Sequence, residues 1–584
     1  MWKQDDGYEY IEPGQPQALG EEKEPETGGE SDKKQKLIAV GLPLILAILF
    51  FIVPLFFKIP VYALNDDIQI RDILSGAYSG SPDLHTVYMG ALLSGILAFL
   101  YAILPFIPWY GLFLCAAPAA VFLILGLRIM SSKKIMLIRA LVLAMLTGLY
   151  LWFLYPMYIM PHYTLVAAVF AAGGLWLMMD REMTGGLVLL LLCQQTRQQV
   201  FLMLLPFAAA VLLLTFLEDK DKRADLKKPL LIFAASLAVL LTLNLIAYAG
   251  SGWREYLKLN NARTELYDYT GVWESKTAKD YYAQNGVTAY DYPLYLSYDL
   301  LPVKGADTAT LSAMADHVEA GRQLVGMERF KDVLRQLERI YLLNHGKAMV
   351  YANGALLMYL LCIGNSLYRG KGWGVLFSLG CLIMNFAIYG YLLWKGRVPD
   401  RVTASLSMAQ CFMLGGMVMR YAEKLQQVYW AIQGAILTLV VSQAYYALYD
   451  LSAGYDEQIT VNNEDDVLYS YMAQNPDELF VMETYATVYH TAYVYRTDKT
   501  GNAILMGGWQ YLSPLQDKKL RAFGYDDRFE LFINGGTNFV FRKGDGLDAA
   551  NLDTYLNKEY GTGIRLIKEL PGDFEIYVLD RWKD

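Results

Sequence analysis

The chain has 584 residues, 55% of them hydrophobic and 18% charged, with 50 basic and 58 acidic side chains and a net charge of −8. Apolar runs of about 20 residues recur along most of its length, each enough to cross a bilayer as a helix, so a soluble globular enzyme is excluded and a polytopic membrane protein is expected. The acidic balance argues against a nucleic-acid partner, because gripping a phosphate backbone needs a basic face.

Residues 1–36 are rich in Glu, Gly, Pro and Gln and are expected to form a disordered cytoplasmic tail, since they cannot bury a core. Lys33, Lys34 and Lys36 precede the first apolar run at 37–57. The excess of positive charge on the cytoplasmic side then puts the N-terminus inside and the loop at 58–85 outside. That loop carries Asn65, Asp66, Asp67, Arg71, Asp72, Asp83 and His85, punctuated by Gly76, Gly80 and Pro82.

Further spans are expected at 86–106, 110–128, 135–155 and 161–179, with 186–217 as one long span containing a break. The loop EDKDKRADLKK at 218–228 marks the cytoplasmic side, and this count leaves Arg128, Lys133 and Lys134 on the wrong face unless one early run fails to cross. A seventh span at 229–250 leads into a large outer loop at 251–345, whose segment 329–343 has the spacing of an amphipathic helix lying on the membrane surface. Spans near 346–367, 374–394, 402–422 and 428–449 bring the total to about eleven, so residues 451–584 lie outside. Their alternating apolar segments LFVMET, AILMGG, TNFVFR, IRLIKEL and FEIYVL, with turns at NGG and PGD, predict a small α/β domain.

The fold class expected is therefore mainly α: a transmembrane domain over 37–450 and an extracytoplasmic α/β domain over 451–584. All five cysteines fall in apolar runs, so neither a disulfide framework nor a zinc site is implied. No P-loop, GxSxG, HExxH or CxxC motif occurs in the chain.

Asp66 and Asp67 stand where the lipid ends. A carboxylate partly desolvated there becomes a better base; the plainer reading is two solvated acids at a helix mouth. Asp83 and His85 share their loop. Arg197 lies inside the apolar run LLLLCQQTRQQVFLMLLPF, where a guanidinium is costly and a phosphate partner would offset the cost. Arg397 and Arg401, in GRVPDRV, sit one helical turn apart on an outer turn and could grip one phosphate or anchor to anionic headgroups. His162 opens a span beside Tyr163, and Arg263 and Asp268 lie in the outer loop among tyrosines suited to a sugar face.

A carboxylate and arginines on one outer face suit transfer of a sugar from a lipid-linked phosphate to a hydroxyl. The leaving phosphate needs positive charge, and the acceptor needs one base. This pattern resembles the GT-C superfamily of integral-membrane glycosyltransferases in four features: the acidic pair in NDDIQIRD after the first helix, the long outer loop after the seventh, the turn GRVPDRV, and the outer C-terminal domain. The resemblance implies a polyprenyl-phosphate sugar donor, a glycan, lipid or protein acceptor, contact with membrane lipids, and a base role for Asp66 or Asp67. No metal ligands are assigned, and a divalent metal stays open as a cofactor. The expected place is the cytoplasmic membrane, in cell-envelope or surface-glycan modification. The rival classes are a transporter or flippase and a non-catalytic envelope-assembly protein.

Overall fold

A computed structural model describes residues 28–220, 223–272, 276–321, 326–343, 347–396, 398–422, 427–487, 492–495, 501–544 and 546–581. The chain is mainly helical. Among the described residues eight helices are long and apolar enough to cross a bilayer, three apolar helices are shorter, and one five-stranded sheet lies near the C-terminus.

α1 (Gly28–Phe57) already begins within the polar stretch expected as a tail. α2 (Asn65–Ser75) carries Asp66 and Asp67 in its first turn, where unpaired N–H groups and the helix dipole favour negative charge. It ends at Gly76, whose φ of 83° is left-handed and where an added Cβ would stand 2.6 Å from the Pro82 nitrogen, so only glycine fits. α3 (Ala91–Ile103), α4 (Trp109–Met130) and α5 (Met136–Leu149) follow. α5 continues through a wide turn at Tyr150–Leu154 into α6 (Tyr155–Ile159), the turn lying just ahead of Pro156, which has no N–H to close an ordinary α-helical turn. α7 (Tyr163–Met179), α8 (Met183–Thr196), α9 (Gln198–Glu218) and α10 (Arg223–Ala247) complete the first half.

Two segments differ from expectation. The run at 86–106 is the 13-residue α3, and both its ends stay at one end of the bundle. Gly90 N donates to Gln195 O at 2.7 Å, while Tyr101 Oη accepts from Tyr110 N at 3.0 Å. The run at 186–217 is a hairpin, not one broken span. Arg197, in extended conformation, is its tip between α8 and α9, and its open ends meet where Arg181 Nε pairs with Asp219 Oδ2 at 2.7 Å. Apolar length reports contact with lipid or protein and is blind to direction; the polar cluster around Arg197 is what turns the chain.

The outer-loop region forms α11 (Ser251–Thr264), α12 (Lys276–Gln284), α13 (Asp291–Leu296), α14 (Thr308–Gly321) and α15 (Gly326–Glu338). α15 is the amphipathic helix anticipated over 329–343. Its Val333 is buried, its Phe330 and Leu334 are exposed, and the Arg329 guanidinium stands 4.9 Å from the Trp394 ring. α16 (Lys347–Tyr368), α17 (Gly372–Trp394) and α18 (Asp400–Tyr421) return to the bundle. α19 (Gln427–Gln474) then runs unbroken for 48 residues, across the boundary expected near 451, and the expected span at 428–449 is its first part.

α7 and α18 form the centre of the bundle, buried along nearly their whole lengths. Small residues let the helices close: a Cβ on Gly415 or Gly416 would meet Trp176, and Gly174 and Gly186 face each other just as tightly. At one end of the bundle a salt-bridge cluster ties four elements together. Arg128 pairs with Asp180 at 2.7 Å, and Arg420 pairs with Glu218 at 2.9 Å and Asp219 at 3.0 Å. By contrast α10 buries none of its residues, leaving an apolar surface suited to lipid.

β1 (Phe480–Met482), β2 (Ala503–Leu505), α20 (Pro514–Ala522), β3 (Asn538–Arg542), α21 (Ala549–Tyr560), β4 (Thr562–Leu570) and β5 (Phe574–Arg581) make up the rest. The five strands fall on the five segments the sequence alternation marks. They are ordered β2-β1-β3-β5-β4, with β1 parallel to both β2 and β3 and the β3–β5 and β5–β4 pairs antiparallel. Gly572 and Asp573 take positive φ in the tight β4–β5 turn. The outer loop and this sheet share one core, in which Tyr295, Leu300 and Leu311 pack in the same cluster as Val481, Phe539 and Leu552. The two regions read as separate in sequence are one folded body.

Candidate functional site

The acidic turn of α2 sits at the end of the bundle opposite the Arg128–Arg420 cluster. Asp67 is fully buried. Its Oδ1 accepts from Tyr110 Oη at 2.7 Å and from the Tyr163 amide at 3.1 Å, while Oδ2, 3.7 Å from His162 Nδ1, has no hydrogen-bond partner among the described residues. Asp66, one residue earlier and half-buried, is the accessible member of the pair.

Tyr163 joins this acid to Arg197. The Arg197 Nη1 meets the Tyr163 hydroxyl and donates to Thr164 Oγ1 at 2.8 Å, and its guanidinium lies 4.6 Å from the Tyr163 ring and 5.6 Å from that of Tyr88. The hairpin tip thus places the costly guanidinium of the apolar run in an aromatic and polar setting, half-exposed. Tyr88, whose ring lies 5.6 Å from the Arg197 guanidinium, also feels the charges of Arg263, Asp66 and Asp268, so four of the residues singled out from sequence act on it.

Arg263 is buried. Its Nε donates to Asn260 Oδ1 at 2.9 Å, Nη2 to Thr264 Oγ1 at 2.7 Å, and Nη1 to the Tyr298 hydroxyl, with Asp268 Oδ2 3.9 Å away. His162 caps α7, its Nδ1 accepting from Thr164 N at 3.0 Å, so the ring proton sits on Nε2. His162 is buried, and the charges of both Arg401 and Arg197 reach it. Arg401, in the first turn of α18, therefore belongs to the same end of the bundle. Arg397, expected to share its phosphate, lies outside the described residues.

Asp83 and His85 turn to each other and to the end of α10. Asp83 Oδ1 contacts His85 Nδ1 at 2.6 Å and its amide at 2.9 Å, His85 Nε2 meets Ala247 O at 3.0 Å, and the ring stacks on Trp253 at 4.3 Å. Burial alone would raise the Asp83 carboxyl, but the His85 contacts win and lower it. The pair pins the first loop to the end of α10.

Tyr88, Tyr110, Tyr163 and Tyr298 are the participants that sequence reasoning passed over as site residues. Their one signal is position, since Tyr88, Tyr110 and Tyr163 each adjoin an apolar run on the side of the acidic loop. Among the described residues no three His, Cys, Asp or Glu side chains converge in a way that could hold a metal ion.

The Asp67 environment has a measurable consequence. Burial pushes its carboxyl up to about 8, with Asp66 adding to the rise, while the Tyr110 and Tyr163 hydrogen bonds and Arg197 oppose it. An acid so raised weakens the fold progressively as pH climbs from about 4 to about 8, because the folded chain keeps a proton that the unfolded chain has released. Asp67→Asn retains an acceptor for Tyr110 and Tyr163 and removes the ionisation. In thermal melts its stability relative to wild type is expected to rise between pH 5 and pH 9; the same difference at both values would refute a titrating Asp67.

No family model, curated protein or solved structure matches the chain.

Proposed function

We propose that the protein is a GT-C-like glycosyltransferase of the cytoplasmic membrane, moving a sugar from a polyprenyl-phosphate donor to an acceptor hydroxyl in cell-envelope or surface-glycan modification. One observation carries the reading: Asp67, beside Asp66 at the start of α2, and the guanidinium of Arg197, far apart in sequence, meet through Tyr163 at one bundle end, within electrostatic reach of Arg263, Asp268 and Arg401.

Asp66, the accessible acid, is the base. It removes the proton of the acceptor hydroxyl as that oxygen bonds to the anomeric carbon. The bond from that carbon to the phosphate oxygen breaks, and its electron pair leaves on the lipid phosphate. Arg197, with Arg401 and Arg263 behind it, stabilises the charge that gathers there, so no general acid is needed. A single displacement inverts the anomeric centre. Asp67 is a positioning residue, holding Tyr110 and the start of α7 in register behind Asp66.

The same contacts support a topology of eleven crossings with the N-terminus inside. α3 lies along the outer surface, and the α8–α9 hairpin supplies the crossing that α3 does not. α1, α4, α5–α6, α7, α8, α9, α10, α16, α17, α18 and α19 then alternate in direction. Arg128, Lys133 and Lys134 fall on the inner side with Arg181 and Arg420, which removes the conflict in charge placement and leaves the sheet domain outside.

The experiment is to incubate the protein in lipid nanodiscs with a panel of polyprenyl-phosphate sugars and follow release of free polyprenyl phosphate. The reading expects one donor to be consumed in the presence of an acceptor. A protein that consumes none, yet moves lipid-linked sugars between leaflets, would be a flippase instead.

A further inference from the structure

α2 has a second face. Asn65, Ile68, Gln69 and Asp72, at the spacing of one helical stripe, turn away from the buried Asp67 and line a cavity between the first loop and the C-terminal sheet. Its far wall carries Thr484, Gln510 and Lys519, and its sides carry Tyr78 and Tyr469.

Two features of that wall are costly unless something meets them. Lys519 is 2% exposed, with its ammonium on the Ala503 carbonyl and 4.3 Å from the Tyr78 ring, and no carboxylate pairs with it among the described residues. Burial lowers this amine to about 7, partly offset by Asp72, so the charge is under-compensated. The Asp72 carboxylate is engaged by Arg71, whose Nε and Nη2 reach its Oδ1 at 2.9 and 2.7 Å. Gln510 is 5% exposed, and while its Oε1 accepts from Ser513, its Nε2 has no hydrogen-bond partner among the described residues. An unmet amide donor beside an under-compensated ammonium, facing side-chain amides, a threonine hydroxyl and tyrosine rings, describes a ligand with one negative charge and several hydroxyl groups.

We infer that this cavity is a second binding site, on the opposite face of α2 from Asp67, for a sugar unit bearing one carboxylate. A phosphate is the poorer fit, because no arginine is among the described residues that line the cavity and Lys519 is the one cation among them to meet a second charge. The carboxylate meets Lys519 and Gln510 Nε2, and the ring hydroxyls meet Asn65, Gln69 and Thr484. The inference goes beyond the transferase reading and stands on the cavity alone, so its test uses no donor and no turnover.

Calorimetry on the full chain in nanodiscs at pH 6.5 compares glucuronate, glucose and butyrate as probes. Glucuronate is expected to bind at least about tenfold more tightly than either, separating a carboxylate-bearing sugar from a neutral sugar and from a bare carboxylate. Lys519→Met and Gln510→Glu should each remove that preference, and Asp67→Asn should retain it. Gln510→Glu keeps the acceptor for Ser513 and sets a like charge against the ligand, so it decides the matter even if Lys519→Met fails to fold. Glucuronate binding no tighter than glucose, butyrate binding equally well, or a preference that survives Gln510→Glu would each overturn the inference. Absence of transfer with every lipid-linked donor would leave it standing.

Discussion

Asp66→Asn is expected to reduce transfer from the preferred lipid-linked donor by about 10²–10⁴-fold, the usual contribution of a positioned general base, with no loss of thermal stability. The expectation follows from the division of labour in the acid pair. Asp67 has no exposure and spends one oxygen on Tyr110 and the Tyr163 amide, so an incoming alcohol cannot reach it without dismantling the start of α7. Asp66 occupies the same first turn but is only half-buried, and its charge reaches Tyr88. An amide there keeps the shape and loses the base, so kcat should fall with the donor KM little changed. Equal activity in wild type and Asp66→Asn would remove Asp66 from the chemistry and leave the acid pair a helix-capping device.

Arg197→Gln should produce the second large effect. A preorganised cation at a developing negative charge contributes about 10²–10³-fold when the site excludes water, and Arg197 is fixed by Tyr163, Thr164 and the ring of Tyr88 before any ligand arrives. Its loss should lower kcat/KM for the donor by about that factor. Arg197→Lys should recover only part, since an ammonium cannot keep both the Tyr163 and Thr164 contacts and present a second donor edge to phosphate. Because Arg197 also closes the α8–α9 tip, melting curves accompany the kinetics. A fall in activity matched by a fall in melting temperature, with full rescue by lysine, would mean that the residue only holds the hairpin together.

Much of this arrangement could be read from the residues alone. The five strands were legible because each is a short apolar segment bounded by turn residues, and the surface helix α15 because its charges recur between apolar positions at helical spacing. Asp66, Asp67 and Arg197 were legible for a thermodynamic reason: charge at or within a membrane costs enough to need an explanation. Direction was not legible. α3 and the α8–α9 hairpin show that an apolar run has the same composition whether it crosses, lies flat or doubles back. Under the proposed topology, the charge conflict at Arg128, Lys133 and Lys134 and the six-residue QQTRQQ cluster are the two traces of direction in the sequence. Tyr110 and Tyr163 stayed hidden because 44 tyrosines offer no contrast. Asp83 and His85 share a loop with the acid pair, and spacing gave no sign that they turn their polar atoms to each other and to α10. The union of the outer loop with the C-terminal sheet rests on contacts such as Tyr295 and Leu300 beside Val481 and Phe539, which sequence spacing does not encode.

The central claim is that a lipid-linked phosphate sits at the Asp66–Arg197 end of the bundle. Photo-crosslinking with a polyprenyl-phosphate analogue, its diazirine close to the phosphate, followed by peptide mapping in nanodiscs, tests it most directly. The account predicts label at 86–90, 162–164 and 196–198, displaced by excess polyprenyl phosphate and undiminished in Asp66→Asn. Label gathered instead around Arg128, Arg181 and Arg420, or label that excess ligand does not displace, would contradict it.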